Sequence, residues 1–300
     1  MFSTRITDRS LHQGVLDNLQ VNLDRMQRLQ EQLSSGRRLT RPSDDPQQSG
    51  KALQLRSELR RAEQFGRNGE DGLARLGAAD DTLTSATALV RRAHDLVVGV
   101  SSSSLGAAER QATAREIEGL RASLLQLANT SHLGRPLFGG TAGVETAFAA
   151  DGTYLGNSGA GAAVERTLAR GVSVQVNLDG LEVFGPDASG PGLLQALDAT
   201  VRHLDANDQD ALLGDLDSIE TAQTRTQNAL TKVGALYNRV ETMRDRASQS
   251  VTSLKSGLSD VEDVDLPATI VDLQVQQTAY QAALSATARV VQLSLVDFLK

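Results

Sequence analysis

Two stretches at opposite ends of the chain repeat apolar side chains with the same rhythm. Between Val15 and Pro46 the repeat runs in steps of three, four, three and seven. Heptad spacing predicts a helix that needs a second helix along one face, and no nearby stretch supplies it. We therefore expect the two ends of the chain to pair. The packing residues would be Leu16, Leu19, Leu23, Met26 and Leu33 in the first helix, and Ile270, Leu273, Tyr280, Leu284, Val291 and Phe298 in the last, with Gln277, Thr287 and Ser294 completing the rhythm.

Helical patterns also fill most of the chain between these ends. One helix is predicted from Gln47 to about Val100, where Gly66, Gly69 and Gly72 should loosen or kink it. Others are predicted at about 107–131, 192–204 and 209–254, with Gly257–Pro267 as the hinge into the last helix. In the helix from Gln47 to Val100, apolar residues at steps of three and four form an unbroken stripe. It comprises Leu76, Ala79, Leu83, Ala86, Val90, Ala93, Val97 and Val100.

Residues 137–191 are different, because glycine is frequent and the helical period disappears. Residues 171–185 alternate as strands do, and Asp179-Gly180 is a hairpin signal. The predicted fold is mainly α: a long helical bundle or coiled coil formed by the paired N- and C-terminal regions, with a small β-rich inserted outer domain. Its parts are the inner terminal coiled coil (1–45 plus 266–300), a helical rod (46–136 plus 208–265) and the outer insert (137–207).

A turn and two charged clusters lie beside the predicted terminal pair. Ser34–Gly36 ends the first helix, with Gly36 in a left-handed cap, and Ser43, Asp44 or Asp45 caps the next helix. If the end helices run antiparallel, two clusters come level and could fix the register of the hinge. The alternative is that both clusters are solvated and contribute little. They are Arg37, Arg38 and Arg41 on one side, and Asp260, Glu262, Asp263 and Asp265 on the other.

Composition removes several classes of function. Aromatic residues are 3% with no tryptophan, which disfavours an aromatic-walled cofactor pocket. The net charge of −7 disfavours nucleic-acid binding, and the lack of cysteine removes disulfides and thiolate chemistry. We expect no membrane insertion, no Sec-type signal peptide, and therefore either the cytosol or non-Sec export.

Candidate chemical motifs fail on inspection. His12, His94, His132 and His203 lack the helical partner of a zinc site. Residues 155–165 lack the lysine of a phosphate loop, and the stretch from Asp205 lacks the glycine and glutamate of a calcium loop. We therefore expect no enzyme activity, no catalytic residue, no cofactor and no metal.

Several strings at both ends resemble the flagellin superfamily, and within it the branch of hook–filament junction proteins. They are LSSGRRL at 33–39, PSDDP at 42–46, NTSHLGRPLFGG at 129–140, LSDVEDVDL at 258–266, QQTAYQAAL at 276–284 and SLVDFL at 294–299. LSSG with a following DD is shared with filament flagellins. PSDDP, LFGG and the acidic hinge look like the junction branch.

The resemblance implies a structural protein of bacterial motility, secreted through the flagellar type III export channel. It would form a ring of identical subunits between hook and filament, on which flagellin polymerises. Its partners would be further copies of itself, hook-associated protein 1, flagellin and a flagellar export chaperone. Filament flagellin is the first alternative, and a coiled-coil signalling or adaptor protein is the second.

The entropy of ordering the end helices sets one more expectation. Their apolar side chains contribute about 2 kcal/mol each when buried, against roughly 1–2 kcal/mol for each residue ordered. A lone helix pair is therefore marginal, and its folding should be coupled to assembly. An ordinary coiled coil already folded in the monomer is the alternative.

Overall fold

The computed structural model describes residues 3–101, 106–186 and 190–298, with side chains from 13 to 287 inside those ranges. Helices dominate this part of the chain, and two small antiparallel sheets interrupt them. The helices are α1 (Ser3–Ser35), α2 (Pro46–Ser101), α3 (Ala107–Ala128), α4 (Gly180–Phe184), α5 (Leu193–Ala206), α6 (Gln209–Glu262) and α7 (Leu266–Phe298). The strands are β1 (Ser131–His132), β2 (Arg135–Pro136), β3 (Glu165–Ala169) and β4 (Val172–Gln175), and Gly159–Ala162 forms a 3₁₀ turn.

The chain divides into two compact units. The terminal unit comprises residues 1–60 and 251–300, and the central unit comprises residues 61–250. The predicted division into inner, rod and outer parts is a separate proposal that this two-way division does not test.

The core of the central unit is built on the predicted stripe of α2. All eight of its side chains are at most 4% exposed. The seven from Ala79 to Val100 pack with Ile117 and Leu124 of α3 and Ile219 and Val233 of α6, whereas Leu76 packs with Val176 and Val240. The 3.6-residue period places such positions on one helix face, so burial of the whole stripe follows directly from its spacing. This part of the sequence prediction is confirmed.

Helix α2 runs unbroken through the glycines that were expected to loosen it. A Cβ added at Gly69 would lie 2.8 Å from Cβ of Arg244, and one at Gly72 would lie 3.0 Å from Cγ1 of Val176. These two glycines therefore allow close approach of neighbouring segments, as Gly does wherever a backbone must be reached closely.

The hairpin turn expected at Asp179-Gly180 is wrong. Asp179-Gly180 makes no hairpin: Oδ1 of Asp179 accepts from the amide of Leu181 at 2.9 Å and begins α4. Gly180 is needed because a Cβ there would lie 2.3 Å from the Phe138 carbonyl oxygen. The hairpin between β3 and β4 turns instead at Gly171, whose φ is +72°.

The hinge before the last helix is also shorter than expected. Helix α6 continues through Gly257 to Glu262, and α7 starts at Leu266. Gly257 has open space around it, so no contact forces a break at that residue. The link is therefore residues 263–265, and the left-handed cap predicted at Gly36 is present, with φ of +68°.

Residues 137–207 combine one two-stranded sheet with the 3₁₀ turn, α4 and α5. Their core contains three aromatic rings, and Phe138 meets Phe184 edge-to-face at 5.1 Å. Phe148 packs on Phe184 at 5.9 Å. Helix α5 packs against α3, which ties this segment to the helical core.

Candidate assembly surfaces

The two terminal helices pack against each other and run antiparallel. Nε2 of Gln276 in α7 donates to Oδ1 of Asn22 in α1 at 2.9 Å and to its backbone oxygen at 3.2 Å. Asn22 lies more than three turns before the end of α1, and Gln276 lies nearly three turns after the start of α7. Their contact therefore requires the two helices to run antiparallel. Polar pairs within such a seam specify register at some cost in stability.

The predicted packing residues divide into three groups. Leu19, Leu23, Met26, Leu33, Leu273 and Tyr280 are half-buried. Leu16, Ile270 and Leu284 are 60%, 47% and 44% exposed. Val291 and Phe298 lie outside the residues whose side chains are described.

The half-buried face of α7 differs slightly from the predicted face. It comprises Leu273, Gln276, Tyr280, Ala283 and Thr287, so Gln276 and Ala283 take the positions expected for Gln277 and Leu284. Both sets fit the three-four spacing, so periodicity alone cannot choose between them. The hydrogen bond between Gln276 and Asn22 was missed because no pattern in the sequence favours Gln276 over Gln277.

The terminal pair is poorly buried. Among residues 13–35 and 266–287, Thr269 alone is buried. Seven large apolar side chains of the pair are at least 44% exposed: Leu16, Val21, Leu266, Ile270, Val271, Val275 and Leu284. Large apolar side chains exposed in this number on one helix pair indicate an interaction site.

Beside the pair, the segment after α1 is hydrogen-bonded to the link before α7. The amide of Arg38 donates to the Glu262 carbonyl at 2.7 Å, and the amide of Val264 donates to the Gly36 carbonyl at 3.1 Å. Arg37 and Asp263 form an antiparallel bridge. The two segments are therefore level, and backbone hydrogen bonds join them.

The side chains of the two charged clusters have other partners. Nη2 of Arg38 donates to the Val261 carbonyl at 3.0 Å, and Arg41 pairs with Glu31 at 3.3 Å. Glu262, which is 5% exposed, pairs with Arg56 at 2.7 Å. Arg56 was not among the predicted residues, and no sequence signal distinguishes it from the other arginines of α2.

One residue of the acidic cluster, Asp265, binds the backbone. Oδ1 of Asp265 accepts from the amide of Ala268 at 3.1 Å and caps α7. Asp263 hydrogen-bonds to the hydroxyl of Ser259, and Asp260 is exposed. A role of the charged clusters in fixing register stays a prediction.

The capping prediction for α2 is confirmed at Asp45. Its Oδ1 accepts from the amides of Gln47 at 3.1 Å and Gln48 at 3.0 Å. Asp44 instead accepts from the amide of Arg41 at 2.8 Å, and this hydrogen bond lowers the pKa of Asp44.

In the central unit, three arginines clamp the segment after α3 through its main chain. Arg121 donates to the carbonyls of Leu194 at 3.2 Å and Ala150 at 2.9 Å. Arg75 and Arg225 make the same kind of contact. Nη2 of Arg75 donates to the carbonyls of Pro136 at 3.4 Å and Leu137 at 3.1 Å, and Arg225 donates to those of Gly185 and Pro191, both at 2.7 Å.

The LFGG string forms a buttressed turn. Gly140 has φ of +66°, and Oδ1 of Asn157 accepts from the amides of Thr141 at 2.8 Å and Ala142 at 3.1 Å. The hydroxyl of Tyr154 lies 2.9 Å from the carbonyls of Phe138 and Asn157. Burial, with Asp179 nearby, raises the pKa of Tyr154 to about 12.

One histidine is less isolated than the sequence suggested. Nδ1 of His203 lies 2.7 Å from Oδ2 of Asp215, whose side chain is 8% exposed. Within the described ranges, no cluster of three potential metal ligands occurs. In the same ranges, no helix is both long and apolar enough to cross a membrane.

Two family models match the helical parts of the chain. The bacterial flagellin N-terminal helical region matches residues 6–142, and the bacterial flagellin C-terminal helical region matches residues 216–299. The matches thus cover α1–α3 at one end and most of α6 with α7 at the other.

Similar proteins point the same way. Flagellar hook-associated protein 3 of Escherichia coli is 27% identical over 90% of this chain and 92% of its own length. Flagellin of Bacillus subtilis is 28% identical over 84% of this chain and 85% of its own.

A solved structure of Bacillus cereus FlgL is 25% identical, covers 69% of this chain and 99% of its own, and superposes with a TM-score of 0.60. A hook-associated protein from Vibrio parahaemolyticus, 23% identical over 73% of this chain and 100% of its own, shares the fold with a TM-score of 0.66. The chain therefore belongs to the flagellin family, in its hook-associated branch, and is a structural component of the flagellar hook–filament junction.

Proposed function

We propose that the chain forms a short ring of identical subunits between hook-associated protein 1 and the flagellin of the filament. The observation that carries this proposal is the exposed apolar surface of α1 and α7. An isolated soluble protein gains nothing from seven such side chains in contact with water, whereas a subunit that is surrounded by copies of itself covers them.

The energetics of the terminal pair favour folding on assembly. The large apolar side chains of its seam are at most half-buried, and fully burying one such side chain contributes about 1.5–3 kcal/mol. Ordering each residue of two helices costs roughly 1–2 kcal/mol. Contacts from neighbouring subunits therefore supply the stabilisation that the pair lacks, and the ends order as the subunit joins the ring.

The same property suits export. A chain whose ends are not yet folded can enter a narrow secretion channel, and its exposed apolar segments need protection beforehand. We infer that a flagellar export chaperone covers them in the cytosol. We also propose a purely structural role without catalysis, in keeping with the structural flagellar proteins that the chain resembles.

A gene-deletion strain tests the ring proposal. We expect hooks without filaments, and flagellin monomers shed into the medium, because filament subunits would lack their base. Bare hooks with no flagellin released would identify the chain as the filament flagellin, an alternative that the 28% identity to a flagellin keeps in view. Normal filaments would contradict both.

Complementation then tests the surface itself. The double variant Ile270→Ser, Leu284→Ser alters two exposed side chains, so the helicity of the purified subunit should be unchanged. We expect this variant to be secreted and to restore no filaments. Gln274→Ser, at an exposed polar position of the same helix, is the matched control and should restore them. Filaments at wild-type number in the double variant would refute the assembly role of this face.

A further inference from the structure

The segment after α1 completes the end of α6. The last carbonyl groups of a helix have no partner within it, and a left-handed glycine just beyond the helix often provides local ones. Residues 263–265 contain no glycine. The Glu262 carbonyl instead accepts from the amide of Arg38 at 2.7 Å, and the Val261 carbonyl accepts from its Nη2 at 3.0 Å. The end of α6 is therefore capped by a residue that lies 223 positions before Val261.

The end of α1 and the start of α7 meet at the same place. The amide of Val264 donates to the Gly36 carbonyl at 3.1 Å, and Nε2 of Gln32 donates to the Arg38 carbonyl at 3.0 Å. Gly36 turns the chain into this position with φ of +68°. We call residues 36–38 and 261–264 the terminal clasp, because their hydrogen bonds hold three helix ends together.

The α6 side of the terminal clasp is buried, unlike the terminal helix pair. Val261 is 3% exposed and Glu262 is 5% exposed, and the Glu262 carboxylate pairs with Arg56 of α2. Along α1 and α7, by contrast, the large apolar side chains described are at most half-buried. The terminal clasp is therefore supported by α2 and α6, and this support does not depend on the pairing of α1 with α7.

The terminal clasp agrees in register with the polar pair of the two helices. At the helical rise per residue, Asn22 lies roughly 21 Å along α1 from Gly36, and Gln276 lies roughly 18 Å along α7 from Val264. Antiparallel helices that start together at the terminal clasp therefore bring Asn22 level with Gln276. A heptad repeat alone would also allow one helix to shift by a whole heptad.

A terminal clasp that is already formed also lowers the cost of starting the helix pair. Nucleation of the helices and closure of the loop between them are the unfavourable steps, whereas each later turn adds contacts. The terminal clasp has already brought the two chain ends together. Pairing can therefore propagate from it one turn at a time.

We propose that the terminal clasp is in place before α1 and α7 order, and that their pairing spreads outward from it as the subunit joins the ring. This inference rests on the proposed function, in which the ends order on assembly. It assigns the choice of register to the hydrogen bonds of the terminal clasp and not to ion pairs between the two charged clusters.

Disulfide formation in the purified subunit tests this order of events, since the chain has no cysteine of its own. Arg37 and Asp263 face each other in an antiparallel bridge, a geometry that brings two Cα atoms within disulfide range. In the free subunit, the pair Arg37→Cys and Asp263→Cys should oxidise about tenfold faster than the pair Asn22→Cys and Gln276→Cys, because the terminal clasp is closed more of the time. In purified flagella both pairs should oxidise.

Gly36 allows a matched pair of variants. No atom lies within 4 Å of a Cβ placed there, so a substitution acts through φ alone. Valine disfavours the left-handed region and asparagine tolerates it. Gly36→Val should therefore raise amide hydrogen exchange at Arg38 and Val264 about tenfold, and should restore fewer filaments in the deletion strain. Gly36→Asn should retain both the slow exchange and the filaments.

The outcomes are distinct. Equal oxidation rates of the two cysteine pairs in the free subunit, or wild-type filament numbers with Gly36→Val, would overturn the inference. Slow amide exchange along both α1 and α7 in the free subunit would show that the ends are already folded, and would refute ordering on assembly together with the inference. Failure of the wild-type chain to restore filaments would instead refute the proposed ring.

Discussion

Nη2 of Arg56 lies 2.7 Å from Oε2 of Glu262, and this pair joins α2 to α6 within the terminal unit. The Glu262 side chain is 7% exposed, whereas that of Arg56 is 38% exposed. A carboxylate with so little water around it depends on its cation, while the cation depends less on the carboxylate. Removing Arg56 should therefore destabilise the protein more than removing the charge of Glu262.

Replacing the cation should be costly. We expect Arg56→Met to lower the free energy of unfolding by about 2 kcal/mol, because it leaves Glu262 buried and unpaired. Adding Glu262→Gln to that variant should recover part of the loss. Urea unfolding followed by circular dichroism measures both, with Arg60→Met, exposed on the same helix, as the control. The asymmetry would be contradicted if Arg56→Met and Glu262→Gln alone lowered the free energy of unfolding equally and the double variant recovered none of the loss.

Alanine substitutions at two glycines of α2 should change stability in opposite directions, because the two sites differ in free space. Gly66 has open space, so Gly66→Ala should stabilise the protein by about 1 kcal/mol through helix propensity. Gly69→Ala places a Cβ 2.8 Å from Cβ of Arg244, and should destabilise by about 1–3 kcal/mol through overpacking. Thermal unfolding of the two variants in parallel gives the comparison. A stabilised Gly69→Ala would show that α6 moves away without cost.

The cap of α2 allows a conservative test. We expect Asp45→Ala to cost about 1 kcal/mol, because the amides of Gln47 and Gln48 lose their acceptor, and Asp45→Asn to retain most of the stability. Amide hydrogen exchange in the first turn of α2 reports this locally. Equal exchange rates in the alanine variant and the wild type would show that the cap contributes nothing.

The raised pKa of Tyr154 predicts that the protein loses stability in alkali. Its folded pKa is about 12, against an ordinary value of 10.0, so the neutral phenol is the form that the fold favours. The stabilisation is complete below about pH 10 and is lost as pH rises through about 12. Tyr154→Phe removes this titration, so its unfolding free energy should fall less than the wild type's over that range. Parallel curves would contradict the assignment, and tyrosinate absorbance tests it independently.

Regular periodicity made much of the helical architecture predictable. The stripe from Leu76 to Val100 is buried as its spacing required, and the Gly36 cap and the Asp45 cap follow from local chemistry. These features depend on residues close in sequence, where propensity and hydrogen-bonding preference act directly.

The errors arose where a distant neighbour decides the outcome. Gly180 resembles a turn residue, yet it is required by the Phe138 carbonyl more than forty positions earlier. Gly69 resembles a helix breaker until Arg244 is placed beside it. The exposure of Ile270 and Leu284 depends on which of two equivalent seams faces α1, and the pairing of Gln276 with Asn22 accompanies that choice.

The clamps made by Arg75, Arg121 and Arg225 have a consequence for how this protein can diversify. Each guanidinium donates to carbonyl oxygens, which every amino acid supplies, so these particular attachments do not depend on which side chains the segment carries. Its exposed residues can change in size or charge while these attachments stay the same. Substitutions at its exposed positions therefore leave in place the hydrogen bonds that attach it to α2, α3 and α6.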